Sequence, residues 1–212
     1  MAKIKIQQPK FIDELEEESR IDEYDFDDKI ADKVIENQAI RYKDGRGTTL
    51  DSCIFRNIIF QECTFTNIDF IDVVFENCDM SNVEMTDGSI TRTQFIGCKL
   101  MGAKFDSNHM KDVLFKDSVC SYANFSYSKL QNVMFEKCRI EEGVFQEVNH
   151  KNIAFMDNVM NNAYFNKTSL KNIDFTTCEI NGLNAEIPDL EGAVVTTMQA
   201  LDLAQILRLV IK

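Results

Sequence analysis

Trp is absent from the chain, and His nearly so: His109 and His150 are the only two. No GxSxG, Walker A or GxGxxG run occurs either. Nothing in the sequence therefore assembles a catalytic constellation, and the chain reads as a non-enzymatic protein without a cofactor. Pro (2) and Gly (8) are scarce among the 212 residues. No apolar run approaches the ~20 residues that a membrane span needs. The opening stretch Met1-Ala2-Lys3-Ile4-Lys5-Ile6-Gln7-Gln8-Pro9 lacks the apolar centre of a signal peptide, which points to the cytoplasm. The seven cysteines are odd in number and include no CxxC pair, so a disulfide framework is not expected. Basic residues are outnumbered, 23 Lys and Arg against 35 Asp and Glu, for a net charge of −12. That balance repels nucleic acid and anionic membranes and favours partners with basic surfaces.

What the chain does have is a period of five. Counting from Leu50, large apolar residues fall at every fifth position to Ile180, with His150 the one clearly polar member. Of the 16 Phe, 14 lie on this comb. Two residues earlier stands a small or β-branched residue: Cys53, Ile58, Cys63, Ile68, Val73, Cys78 and so on to Ile173 and Cys178. Two residues after the large one, Asn, Asp and Gly are frequent (Asn57, Asn67, Asn77, Asn82, Asp87, Gly97), and these types tolerate turns. A period of five cannot be an α-helix, because five residues rotate the face by roughly 140°. It cannot be a long strand, because an odd step flips the side chain to the other face. A short strand and a turn every five residues satisfies both limits. Steps of 20 stack like on like: Phe55, Phe75, Phe95, Phe115, Phe135, Phe155 and Phe175 form one column. Four sides per coil follow, with between six and seven coils over residues 50–182, or roughly 30 Å of rod.

Units such as Ala123-Asn124-Phe125-Ser126-Tyr127 and Asn172-Ile173-Asp174-Phe175-Thr176 resemble the pentapeptide repeat. The resemblance covers about residues 50–182. It implies an all-β fold, a right-handed quadrilateral β-helix, with the C-terminal tail adding a short α-helix. Cys78, Cys98, Cys138 and Cys178 share one column with Ser118 and Asn158. Small core filler suits that column better than a metal site. Asn108 and Asn158 are expected to bond along the stack, as buried amides must. His150 reads as a tolerated, partly buried core residue.

Three regions follow: an acidic cap with a possible degenerate coil over 1–49, the repeat rod over 50–187, and a helix and strand module over 188–212. A helix over Met198–Leu209, capped by Thr196 or Thr197, places Leu201, Ala204, Ile206, Leu207 and Leu209 among its apolar positions. The segment from Glu191-Gly192-Ala193-Val194-Val195 to Leu209-Val210-Ile211-Lys212 is similar to the C-terminal dimer module of the Qnr-type pentapeptide proteins. These bind bacterial type II topoisomerases and protect them from fluoroquinolones. The resemblance implies a homodimer joined through Met198, Leu201, Ala204, Leu207, Leu209 and Ile211, with DNA gyrase or topoisomerase IV as partner.

Acidic groups concentrate early: residues 1–90 carry 21 acidic and 10 basic groups, residues 91–212 carry 14 and 13. Asp51, Glu62, Asp69, Asp72, Glu76, Asp79, Glu84 and Asp87 are opposed within their own stretch only by Arg56. They form the expected partner-binding surface, an electronegative rod imitating DNA. The alternative is a general protein-interaction rod with an unrelated partner. Two features fit the Qnr type poorly: the acidic half lies far from a C-terminal dyad, and no loop interrupts the repeat. A second outward column, Ile54, Val74, Gln94, Leu114, Met134 and Ala154, is mainly apolar and is expected to face solvent. Lys111, Lys151 and Lys171 line another side.

Overall fold

The structure, a computed structural model, describes residues 4–11, 14–24, 26 and 29–207. The chain coils into a right-handed four-sided β-helix whose neighbouring coils pair in parallel at 20-residue steps. Two sides and the corner between them are spanned by eight-residue strands: Thr49–Arg56, Asp69–Glu76, Ser89–Ile96, His109–Lys116, Lys129–Glu136 and Asn149–Met156. Their register brings Phe55, Phe75, Phe95, Phe115, Phe135 and Phe155 side by side. The other two sides are held by three-residue strands and single bridges such as Lys99↔Val119 and Lys104↔Asn124. Parallel pairing starts at Glu16, opposite Lys33, and reaches Val194, opposite Asp174. It therefore extends past the 50–187 stretch at both ends.

Each corner is one residue in the left-handed region. Asn57 and Asn67 sit at φ 53° and Asp87 at φ 58°. Asn and Asp are favoured there because their short polar side chains tolerate that conformation. Stacking carries the remaining corners, since Arg92 (φ 48°) and Lys137 (φ 54°) adopt the same shape at a cost of about 1 kcal/mol or more each.

Two opposite sides contribute facing stacks of phenylalanine. Within one stack, Phe115 and Phe135 lie 4.6 Å apart and nearly parallel (5°). Across the interior, Phe115 meets Phe125 edge-on at 5.6 Å. Both are favoured aromatic geometries, worth about 0.5–1.5 kcal/mol beyond burial. The small inward residues do more than fill space, because they satisfy carbonyls of the preceding coil. Cys98 Sγ donates to Phe75 O (3.3 Å), Ser118 Oγ to Phe95 O (3.2 Å), and Asn158 Nδ2 to Phe135 O (2.9 Å). Asn108 Nδ2 does the same to Met85 O at 2.6 Å. A thiol, hydroxyl or amide suits the position because each is small and can donate. All seven thiols are free and buried, and burial pushes that of Cys53 up to about 11, so Cys53 is an inert core group.

Gly88 stands at a small inward position where a Cβ would lie 2.2 Å from Ile68 O. His150 is half-buried, with Nε2 2.6 Å from Ser169 O. A carbonyl only accepts, so Nε2 carries the proton. The ring is thus a satisfied member of its column.

Candidate protein-binding surface

The carboxylates grouped as one acidic surface are distributed by the coil over all four sides and their corners. Most are paired with a cation one coil away, and all of these cations except Arg56 lie outside the stretch. Asp51 takes Lys29 (2.7 Å), Glu76 takes Arg56 (2.6 Å), Asp79 takes Lys99 (3.5 Å), and Glu84 takes Lys104. The Lys29 ammonium beside Asp51 holds that carboxyl below its ordinary range. Asp72 is not exposed at all: it is 7% accessible and receives both Arg92 Nε and Nη2 at 2.6 Å. Among the described residues, Glu62, Asp69 and Asp87 have no ion-pair partner, and Glu62 and Asp87 are exposed. The net acidity is real, but much of the early charge is neutralised locally. The signal for these pairs is the 20-residue step itself, which separates Arg56 from Glu76, Asp72 from Arg92, Asp79 from Lys99 and Glu84 from Lys104.

The apolar outward column does not face solvent along its length. Val74, Gln94 and Met134 are 7, 8 and 8% accessible, and Ile54, Leu114 and Ala154 are half-buried. The cover is the N-terminal arm, residues 4–11. It crosses the coils instead of joining them. Lys10 N donates to Asp72 Oδ1 (2.9 Å) and Gln7 N to Asp112 Oδ1 (3.3 Å), while the Gln94 amide meets the Gln8 side chain. The three residues from Gln7 to Lys10 bridge two coils, about 10 Å, which an extended chain just spans. Ile4, Ile6 and Pro9 are half-buried, and Lys5, Gln7, Gln8 and Lys10 stay exposed. An extended segment running along the rod cannot use the strand ladder, so its N–H groups need side-chain acceptors, here the corner carboxylates. Ile4 lines a groove of about 770 Å³ together with Met134, His150, Ala154, Met156, Lys171 and Asp174.

At the other end, Thr196 caps helix α1, Thr197–Leu203, and Gln199 completes a reciprocal capping box. The helix is shorter than the expected Met198–Leu209, and a 3-10 turn, Ala204–Leu207, follows it. Gln199 also closes the rod: its Nε2 donates to Phe175 O (2.7 Å) and Cys178 O (2.8 Å), carbonyls left without a following coil. Of the dimer residues named from sequence, Met198 (69%), Leu201 (45%) and Leu207 (48%) are exposed, and Ala204 is half-buried. Leu209 and Ile211 lie outside the described residues. Sequence reasoning missed Gln199 and the arm. Among the described residues no three His, Cys, Asp or Glu gather as a metal cage, and no helix is long and apolar enough to cross a membrane.

A family described as the pentapeptide repeat region matches residues 88–158, and the SV2A/B/C luminal domain family matches residues 14–105. No curated protein matches the chain in sequence. Among solved structures, a trypsin-treated variant of QnrB1, described as a plasmid-mediated fluoroquinolone resistance protein, is 22% identical with a TM-score of 0.51, covering 87% of this chain and 95% of its own. Full-length QnrB1 is 20% identical (TM-score 0.46; 84% and 91% covered). HetL, a pentapeptide repeat protein of the cyanobacterium Nostoc involved in heterocyst differentiation regulation, is 9% identical (TM-score 0.23; 78% and 91% covered). At such identities the likeness concerns the fold. With the five-residue register unbroken from Leu50 to Ile180, coils stacked at 20-residue steps and the family match over residues 88–158, the chain has the fold of the pentapeptide-repeat proteins.

Proposed function

We propose that the chain is a non-enzymatic, cytoplasmic protein-binding rod that acts on bacterial type II topoisomerase, DNA gyrase or topoisomerase IV, and relieves fluoroquinolone poisoning. The observation that carries this reading is the C-terminal end. The segment similar to the Qnr-type dimer module forms α1 and leaves Met198, Leu201 and Leu207 outside the core. An apolar patch of that kind marks a contact site, and the reading assigns it to a homodimer. The fold shared with QnrB1 and the net charge of −12 support a basic DNA-binding groove as target. Complementary charge speeds encounter and sets specificity more than it adds affinity. Direct binding to nucleic acid or membrane is not part of this function.

The second reading is a general interaction rod with an unrelated partner. It is favoured by the local neutralisation of Asp51, Asp72, Glu76, Asp79 and Glu84, which breaks up the acidic surface expected over those residues. A gyrase supercoiling assay, titrated with and without a fluoroquinolone, separates the two. Supercoiling restored under drug, at protein levels that do not inhibit the enzyme, is the expected result. No effect on gyrase or topoisomerase IV at micromolar protein would overturn the topoisomerase reading and leave the rod.

A further inference from the structure

The arm over residues 4–11 is placed as a ligand would be. It is extended, runs across the strands, and contributes nothing to the coil pairing that defines the rod. Its polar contacts are few: two backbone N–H groups to Asp112 and Asp72, and one amide contact with Gln94. Its apolar contacts come from every second or third residue, Ile4, Ile6 and Pro9. Residues 1–10 carry Lys3, Lys5 and Lys10 and no acidic residue, a cationic segment on a rod of net charge −12.

The fit is also incomplete. Asp112 is 1% accessible, yet only Oδ1 is engaged, by Gln7 N and by Asn132 Nδ2 at 3.0 Å. Its Oδ2 is buried without a partner. A buried acceptor left unpaired is costly, so a segment bringing a donor to Oδ2 would bind this strip better than the arm does.

We propose that the strip Asp72, Val74, Gln94, Asp112, Leu114 and Met134 is a binding groove for an extended, lysine-bearing, apolar-alternating segment of a protein partner, and that residues 4–11 occupy it in cis as a displaceable stand-in. The arm keeps the apolar column covered until a partner competes for it. Being tethered, it acts at high effective concentration, so it lowers the partner's apparent affinity by the fraction of time the groove is closed. The proposal rests on the binding-rod reading but not on the identity of the partner.

The test uses a fluorescent peptide with the sequence of residues 1–11, titrated by anisotropy against the full chain and against protein lacking those residues. The shortened protein is expected to bind the peptide at least about tenfold more tightly than the full chain does. The same peptide carrying Ile4→Asp and Ile6→Asp is expected to lose about tenfold or more. Should the shortened protein fail to fold, the full chain with Ile4→Asp and Ile6→Asp serves, since its arm is loosened and the groove is intact; it is expected to bind the wild-type peptide as the shortened protein would. Equal binding by open and closed forms, or no binding to a folded open form at millimolar peptide, would overturn the proposal. No topoisomerase enters this measurement, so its failure is separate from a failure of the supercoiling assay.

Discussion

The two ends of the rod face the same difficulty and meet it differently. A solenoid that stops exposes carbonyls with no next coil and apolar groups with no neighbour. At the N-terminal end the chain folds back, and residues 4–11 cover an apolar column that starts several coils away. At the C-terminal end α1 lies over the last coil, Gln199 donates to Phe175 O and Cys178 O, and Leu203 packs against the core. There Met198, Leu201 and Leu207 are left outside. Among the described residues one end completes its apolar cover within the chain and the other leaves Met198, Leu201 and Leu207 exposed, where the proposed dimer would cover them.

The comparison can be broken at its centre, on its two sides, and on its surface. Phe115→Ala removes a fully buried ring from the middle of one stack, along with its edge-on contact to the other. It should cost about 3–5 kcal/mol and lower the denaturation midpoint of the whole rod; a shift confined to one end would show that the ends fold independently of the stack. Gln199→Ala leaves Cys178 O unpaired and Phe175 O with only the Cys178 N–H, with an expected loss of about 1–3 kcal/mol. Because contacts in a solenoid reach only the neighbouring coil, faster hydrogen exchange should appear near residues 170–195 and be absent around Lys29–Arg56. Equal acceleration at both ends would end the claim of separate caps. Leu201→Asp with Leu207→Asp alters exposed positions, so stability should move by less than about 1 kcal/mol while sedimentation reports a monomer. A wild-type chain that is itself monomeric would remove the dimer. The smallest effect is expected at the surface: Lys104→Ala breaks a half-exposed pair with Glu84 and should change stability by about 0–1 kcal/mol, less at high salt.

Much of the fold is legible because its constraint is periodic. The Phe column from Phe55 to Phe175 and the small inward column place the core, the corners and the coil length without reference to distant contacts. The roles of Asn108 and Asn158 follow from the same arithmetic. The binding surface was less legible. Asp72 and Arg92 differ by 20, so their pairing obeys the period and could be read from it. The arm obeys no period. Gln7 meets Asp112 across 105 positions, and nothing in the spacing of Ile4, Ile6 and Pro9 points to Val74 or Met134.

By itself, then, the sequence determines the number of sides, the columns and the identity of the core, because a repeating strand-and-turn unit must bury its large residue the same way in every coil. The tertiary structure alone decides which outward residues remain outward. Exposure of Val74, Gln94 and Met134, and the freedom of Asp72 and Asp112 to meet a partner, depend on a non-repeating segment that folds back over them. Such a contact is set by shape and by the need of extended N–H groups for acceptors, and neither is recorded in a local pattern.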